Sequence, residues 1–93
     1  MNPPAALDER PIARRVKQMV VRSLGLAIEP EELGEDEVLY GSGLGADSVA
    51  TLEVVFALET EFGIEVADDE LRVELFATVQ SLVDYVAQKL RVR

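Results

Sequence analysis

Asp47 and Ser48 stand where a side-chain hydroxyl could do chemistry, between the glycine-rich stretch 41–46 and an apolar, helix-forming stretch. The position predicts that Asp47 is the N-cap and Ser48 the first residue of a helix. Asp and Ser are also preferred at helix starts for capping alone, so the pair has a purely structural interpretation. A serine there is equally placed to bear a phosphate. Free N–H groups and the positive end of the helix dipole stabilise an anion by about 0.3–1 kcal/mol.

The glycines before this serine formally fit a dinucleotide-binding pattern. Gly41, Gly43 and Ala46 satisfy Gly-x-Gly-x-x-Ala. That fingerprint requires a preceding strand and a βαβ unit, and the sequence indicates neither. We therefore interpret the glycines as a flexible approach to the helix rather than as a nucleotide site.

The residue types that are missing exclude most catalytic chemistry. The chain of 93 residues contains no Cys and no His. A disulfide, a thiolate nucleophile, a Cys-ligated zinc and a Ser-His-Asp triad are therefore all excluded. The length predicts one domain with one modest core.

The charge is strongly acidic and unevenly distributed. The formal net charge is −9, and residues 29–74 hold fifteen of the acids and one base, while both ends are mildly basic. A solvated surface kept soluble by charge is one interpretation. The other is electrostatic steering of basic protein partners, and nucleic acid is disfavoured as a ligand.

Hydrophobic periodicity predicts an all-α, four-helix bundle with a long first loop and a short third helix. The first helix begins near Pro11 and ends before Gly25, and the second spans Ser48 to Phe62 before Gly63. The third is short, capped by Asp68 or Asp69 and running to about Leu75, and the fourth is capped by Thr78. The predicted loop anchors are Leu26, Ile28, Leu33, Leu39, Tyr40 and Leu44. Pro30 begins one short helical turn inside that loop.

The predicted domain occupies residues 11–93, and residues 1–10 are expected to be frayed. No apolar run reaches the length of a membrane span, and the first residues lack the features of a signal peptide. We expect a cytoplasmic monomer.

The second helix has two apolar faces. One contains Val54, Val55, Leu58 and Phe62, the pattern of an ordinary core face. The other contains Val49, Leu52 and Phe56, with Glu53 and Glu59 beside it. Because a helix in a small bundle has one side to bury, we predict that the second face is an exposed docking surface. The alternative is that the loop or the short helix covers Phe56.

In three stretches the sequence resembles the acyl carrier protein family. Residues 44–49 (Leu-Gly-Ala-Asp-Ser-Val) resemble its attachment motif, residues 52–66 its second helix, and residues 78–86 the start of its final helix. The resemblance implies that a phosphopantetheinyl transferase joins 4'-phosphopantetheine from coenzyme A to the Ser48 hydroxyl, with Asp47 supporting attachment. It implies a carrier of thioesters rather than an enzyme.

The resemblance also implies partners with basic docking surfaces, namely the transferase, acyltransferases and ketosynthases or related synthase enzymes. They would contact Val49, Leu52, Glu53, Phe56 and Glu59. The expected pathways are fatty-acid, polyketide or related lipid biosynthesis. Two alternatives stay open: a peptidyl or aminoacyl carrier, and an acidic interaction bundle that carries nothing.

Overall fold

The computed structural model describes residues 9–39 and 47–91, of which the side chains of Ser48 and Val73 are not described. Three α-helices occur in these residues: α1 (Glu9–Leu24), α2 (Ser48–Phe62) and α3 (Val79–Arg91). Three 3₁₀ turns accompany them: Pro30–Glu32, Asp68–Glu70 and Val73–Phe76. The described residues form no strand, and Val38 and Thr78 make one isolated antiparallel bridge. The all-α class is thus confirmed.

All three helices contribute to one hydrophobic core, and the predicted core face of α2 is buried. The fully buried side chains with the largest volumes include Leu33, Leu39, Leu58, Leu82, Val16, Val20 and Val86. Leu24 and Leu90, at the helix ends, are partly buried against this core. For α2, the apolar periodicity identified the correct side of the helix.

The first helix ends as predicted at a glycine in the left-handed conformation. Gly25 has φ of 62°, and the N–H of Leu26 donates to the carbonyl of Val21 at 2.9 Å. At its other end α1 includes Glu9 and Arg10, the last two residues of the segment expected to be frayed. Residues 1–8 lie outside the described residues, and the domain boundaries stay a prediction.

The loop after α1 is held by buried side chains and by backbone hydrogen bonds to α3. Leu33 and Leu39 are buried, whereas Ile28 is 38% exposed, so the prediction that Ile28 anchors the loop is wrong. The N–H of Val79 donates to Glu37 O at 3.0 Å, and the N–H of Gln80 to Glu35 O at 2.8 Å. Tyr40 and Leu44, the other predicted anchors, lie outside the described residues.

The prediction of a short third helix is wrong, because two 3₁₀ turns occupy that segment. The described residues therefore form three α-helices rather than four. Leu71 and Arg72 leave the helical region, with Arg72 at φ −121° and ψ 158°. The carbonyls of Asp69 and Glu70, which a continuing helix would use, accept hydrogen bonds from Arg72 instead. The N–H of Arg72 donates to Glu70 O at 2.9 Å, and Arg72 Nε donates to Asp69 O at 3.0 Å.

Neither acid at the start of this segment acts as the predicted cap. Ala67 occupies the N-cap position of the turn Asp68–Glu70. The Glu70 carboxylate accepts the N–H of Ala67 at 2.9 Å, so the capping group comes from inside the turn.

Thr78 caps α3 as predicted. Its Oγ1 accepts the N–H of Ser81 at 3.2 Å, and Ser81 Oγ accepts the N–H of Thr78 at 3.1 Å. The reciprocal pair satisfies two backbone donors at the helix start. None of the described helices is long and apolar enough to cross a membrane.

Candidate functional site

The start of α2 is fixed by Asp47. Its backbone is extended, at φ −99° and ψ −173°, and its Oδ1 accepts the N–H of Ala50 at 2.8 Å. Its carbonyl oxygen accepts both the N–H and the Oγ1 hydroxyl of Thr51, at 2.9 and 2.8 Å. These bonds place Ser48 at the first helical position, as the sequence predicts.

The residues on either side of Ser48 are both exposed. Asp47 is exposed, and Val49 has 67% of its surface exposed. The first N–H groups of an α-helix have no partner within the helix, and the dipole adds partial positive charge at the same place. The local geometry therefore suits a bulky anionic substituent on residue 48.

The two apolar faces of α2 behave as predicted. Val54, Val55 and Leu58 are at most 4% exposed. Leu52 and Phe56 are 46% and 61% exposed, so neither the loop nor the 3₁₀ turns cover Phe56 in the described structure. Val49, Leu52 and Phe56 together form an exposed apolar face that continues from the Ser48 position along the helix.

The two acids beside this face differ in their surroundings. Glu53 is exposed. Glu59 is partly buried, and its Oε2 accepts the N–H of Val66 at 2.9 Å. Glu59 therefore fastens the chain that leaves α2, a structural contribution that sequence reasoning missed. No local pattern could have revealed it, because the two residues lie on either side of the break at Gly63.

A second cluster of polar side chains joins the turn Asp68–Glu70 to α3, and sequence reasoning also missed it. Glu70 Oε1 accepts the Tyr85 hydroxyl and lies 2.9 Å from Lys89 Nζ. The hydrogen bond from Lys89, followed by those from the Ala67 N–H and the Tyr85 hydroxyl, lowers the pKa of Glu70 to about 2. Burial, and then the hydrogen bond to Glu70, raise the pKa of Tyr85 above its ordinary value.

Comparison with protein families identifies the class of protein to which this chain belongs. The family model described as the phosphopantetheine attachment site matches residues 14–86. This match covers most of the chain, and the protein belongs to that family of carrier proteins. It therefore carries covalently attached 4'-phosphopantetheine and works with the enzymes that attach and use this group. Family members are carriers rather than catalysts.

The described residues fit such a group. A covalent arm needs an accessible attachment point, and the exposed neighbours Asp47 and Val49 leave the start of α2 open. The arm's phosphate would lie at the N-terminus of a helix of 15 residues, where an anion is stabilised. The Asp47 carboxylate also stabilises the helix start by capping it.

Proposed function

We propose that this protein is an acyl carrier protein that holds acyl intermediates as thioesters on a 4'-phosphopantetheine arm attached to Ser48. The observation that carries the proposal is the capped, open start of α2 inside a chain of the phosphopantetheine-attachment family. The arm supplies the thiol that this cysteine-free chain lacks.

The chain's own residues give the attachment reaction a defined acceptor. The hydrogen bonds of Asp47 to Ala50 and Thr51 fix the start of α2, which makes residue 48 the first residue of the helix. Attachment forms a bond between the Ser48 oxygen and the phosphorus that bears the pantetheine arm, breaks the pyrophosphate P–O bond of coenzyme A, and releases adenosine 3',5'-bisphosphate and the serine proton. The exposed Asp47 carboxylate, adjacent in sequence, helps the transferase position that serine.

Partner enzymes bind the face that begins next to Ser48. Val49, Leu52 and Phe56 supply exposed apolar surface, and Glu53 supplies an exposed negative charge beside it. This combination suits a partner with an apolar patch bordered by Lys or Arg, because opposite charges orient and accelerate the encounter. Glu59 contributes charge at the far end of the face while also holding Val66.

The net charge of −9 supports the same type of partner. Association with a basic enzyme surface is expected to slow as salt rises, since the Debye length falls from about 10 Å at 0.1 M to about 3 Å at 1 M ionic strength. An association rate that does not change with salt would contradict electrostatic steering.

We expect the protein to act as a cytoplasmic monomer.

An acyl cargo is favoured over a peptidyl one by the residues before the serine. Ala46-Asp47 stands where peptidyl carriers usually have His or Gly before the serine. The two kinds of carried group can be distinguished with protein that bears the phosphopantetheine arm. One sample is incubated with an acyltransferase and malonyl-coenzyme A, and another with an adenylating enzyme, an amino acid and ATP. Loading only by the second enzyme would make the protein an aminoacyl or peptidyl carrier.

The central test is the intact mass after incubation with coenzyme A, magnesium and a broad-specificity phosphopantetheinyl transferase. The variant Ser48→Ala is compared with Ser42→Ala, because Ser42 is the nearest other serine and lies in the glycine-rich stretch. We expect one added phosphopantetheine on the wild type and on Ser42→Ala, and none on Ser48→Ala.

Two outcomes would overturn the assignment. Addition to Ser48→Ala would move the attachment point elsewhere. No addition to any variant, under conditions that modify a control carrier, would leave the non-carrying interaction bundle as the better description.

A further inference from the structure

The outer face of α1 is basic, whereas the chain as a whole has a net charge of −9. Arg14, Gln18 and Arg22 are four residues apart, so they follow one another along one side of the helix. All three are exposed. We call this row of three residues the arginine stripe.

The two arginines of the stripe are available to a partner, unlike the other bases of α1. Arg15 is held by Glu61, and Lys17 by Glu35 at 2.8 Å. Within the described residues, Arg14 and Arg22 make no ion pair. These two exposed arginines therefore carry charge that no ion pair within the described residues neutralises.

The stripe points away from the core. The opposite side of α1 carries Ile12, Val16, Met19 and Val20, which are at most 7% exposed. With a rise of about 1.5 Å per residue, Arg14 and Arg22 are separated by roughly 12 Å along the helix axis. A shallow cavity of about 290 Å³ adjoins Arg14, and the bases Arg10 and Lys17 and the acids Glu31 and Glu35 also line it. The stripe is therefore a charged surface with a concave end.

We infer that the arginine stripe is a second docking surface, which binds an acidic segment of a partner protein. Arginine binds carboxylates through two parallel N–H groups, a geometry that lysine does not offer. The stripe lies on a different helix from Phe56 and needs no prosthetic group, so this inference is independent of the attachment to Ser48.

The charges favour a protein segment over an anionic membrane or a nucleic acid. An anionic membrane or a nucleic acid presents negative charge over an area as large as this protein, and the net charge of −9 repels it. The apolar side chains of α1 are buried in the core and cannot enter a bilayer. A short acidic segment instead interacts mainly with the stripe, because charges beyond about 8–10 Å are screened at physiological salt.

The test is a titration of isotope-labelled protein with an oligoglutamate peptide, followed by amide chemical shifts. An oligoglutamine peptide of the same length measures contacts that need no charge. We expect oligoglutamate to shift the amides around Arg14, Gln18 and Arg22, with weakening as salt rises. Arg14→Gln/Arg22→Gln should weaken the binding by roughly 2- to 30-fold at low salt.

A matched pair of variants separates the stripe from net charge. Thr60→Glu/Gln88→Glu changes the net charge by the same amount, −2, at exposed positions off the stripe. Equal weakening by the two pairs, or shifts that lie outside α1, would overturn the inference. So would tighter binding to phosphatidylglycerol vesicles than to the peptide. If the stripe pair fails to fold, the single variants Arg14→Gln and Arg22→Gln give the same comparison.

Discussion

Arg15 of α1 donates to the side chain and to the backbone of Glu61 at the end of α2. Its Nη2 lies 2.7 Å from Glu61 Oε2 and 2.8 Å from Glu61 O. Its guanidinium lies 4.5 Å from the centroid of the Phe62 ring. One exposed side chain thus joins α1 to the end of α2 through two residues that are 46 positions apart in sequence.

We predict that Arg15→Ala lowers the free energy of unfolding by about 1 kcal/mol, because exposed ion pairs and cation–π contacts are each worth up to about that amount. Arg15→Lys should keep part of it, since lysine lacks the paired N–H groups. Urea unfolding measures both. Arg14→Ala, on the same helix without an ion pair in the described residues, should change stability by less than about 0.5 kcal/mol. Equal effects of the two alanine variants would contradict this role of Arg15.

Phe56→Glu is expected to leave the fold intact and to slow modification by the transferase, because Phe56 is 61% exposed on the proposed docking face. Circular dichroism and the rate of mass gain measure the two effects. Phe62→Ala is the contrasting variant: Phe62 is 6% exposed, and its truncation should cost about 3–5 kcal/mol of stability. Loss of helicity in Phe56→Glu would place Phe56 in the core instead.

Asp47→Ala should lower the free energy of unfolding by about 0.5–2 kcal/mol through loss of the helix cap. Asp47→Asn keeps a side-chain oxygen for the Ala50 N–H but removes the negative charge. We therefore expect Asp47→Asn to be almost as stable as the wild type in urea and slower to gain phosphopantetheine. If Asp47→Asn is modified at the wild-type rate, Asp47 acts as a cap only.

Glu53→Ala and Glu59→Ala separate docking from structure. Glu53 is exposed, so its loss should slow modification without a measurable change in urea unfolding. Loss of Glu59 leaves the N–H of the buried residue Val66 without its acceptor, which should cost about 1–3 kcal/mol in addition. Equal stability of the two variants would contradict the structural contribution of Glu59.

Glu70 gives a pH dependence of defined sign. Its pKa in the folded protein is about 2, below the ordinary value of 4.5, so its contribution to stability is present above pH 4.5 and lost as the pH falls towards 2. Glu70→Gln should therefore be less stable than the wild type at neutral pH, and the difference should shrink across that interval. Urea unfolding at a series of pH values measures it. A difference that stays constant down to pH 2 would contradict the lowered pKa.

The sequence predicts the α-helices and their core faces well, because those depend on local signals. Asp47 and Gly63 mark the ends of α2 to the residue, and Thr78 marks the start of α3. The exposed face of α2 was also predicted, since two apolar faces on one helix cannot both be buried in a small bundle. The side chain of Ser48 and the glycine-rich stretch before it lie outside the described residues.

What could not be predicted depends on side-chain hydrogen bonds that form only once the chain has turned. The segment after Ala67 has acids that favour a helix start, yet the bonds of Glu70 to Tyr85 and of Arg72 to Asp69 hold it as 3₁₀ turns. The acceptor role of Glu59 likewise requires the chain to turn back after Gly63. Periodicity contains no information about either arrangement.

The hydrogen bonds from Val79 and Gln80 to the carbonyls of Glu37 and Glu35 have a consequence for folding order. They close a chain segment of more than 40 residues, so the entropy of loop closure must be overcome before they form. We therefore expect α3 and the loop residues 35–37 to open and close as one cooperative unit in native-state hydrogen exchange. During synthesis, this loop would reach its final conformation only after the last helix has been made.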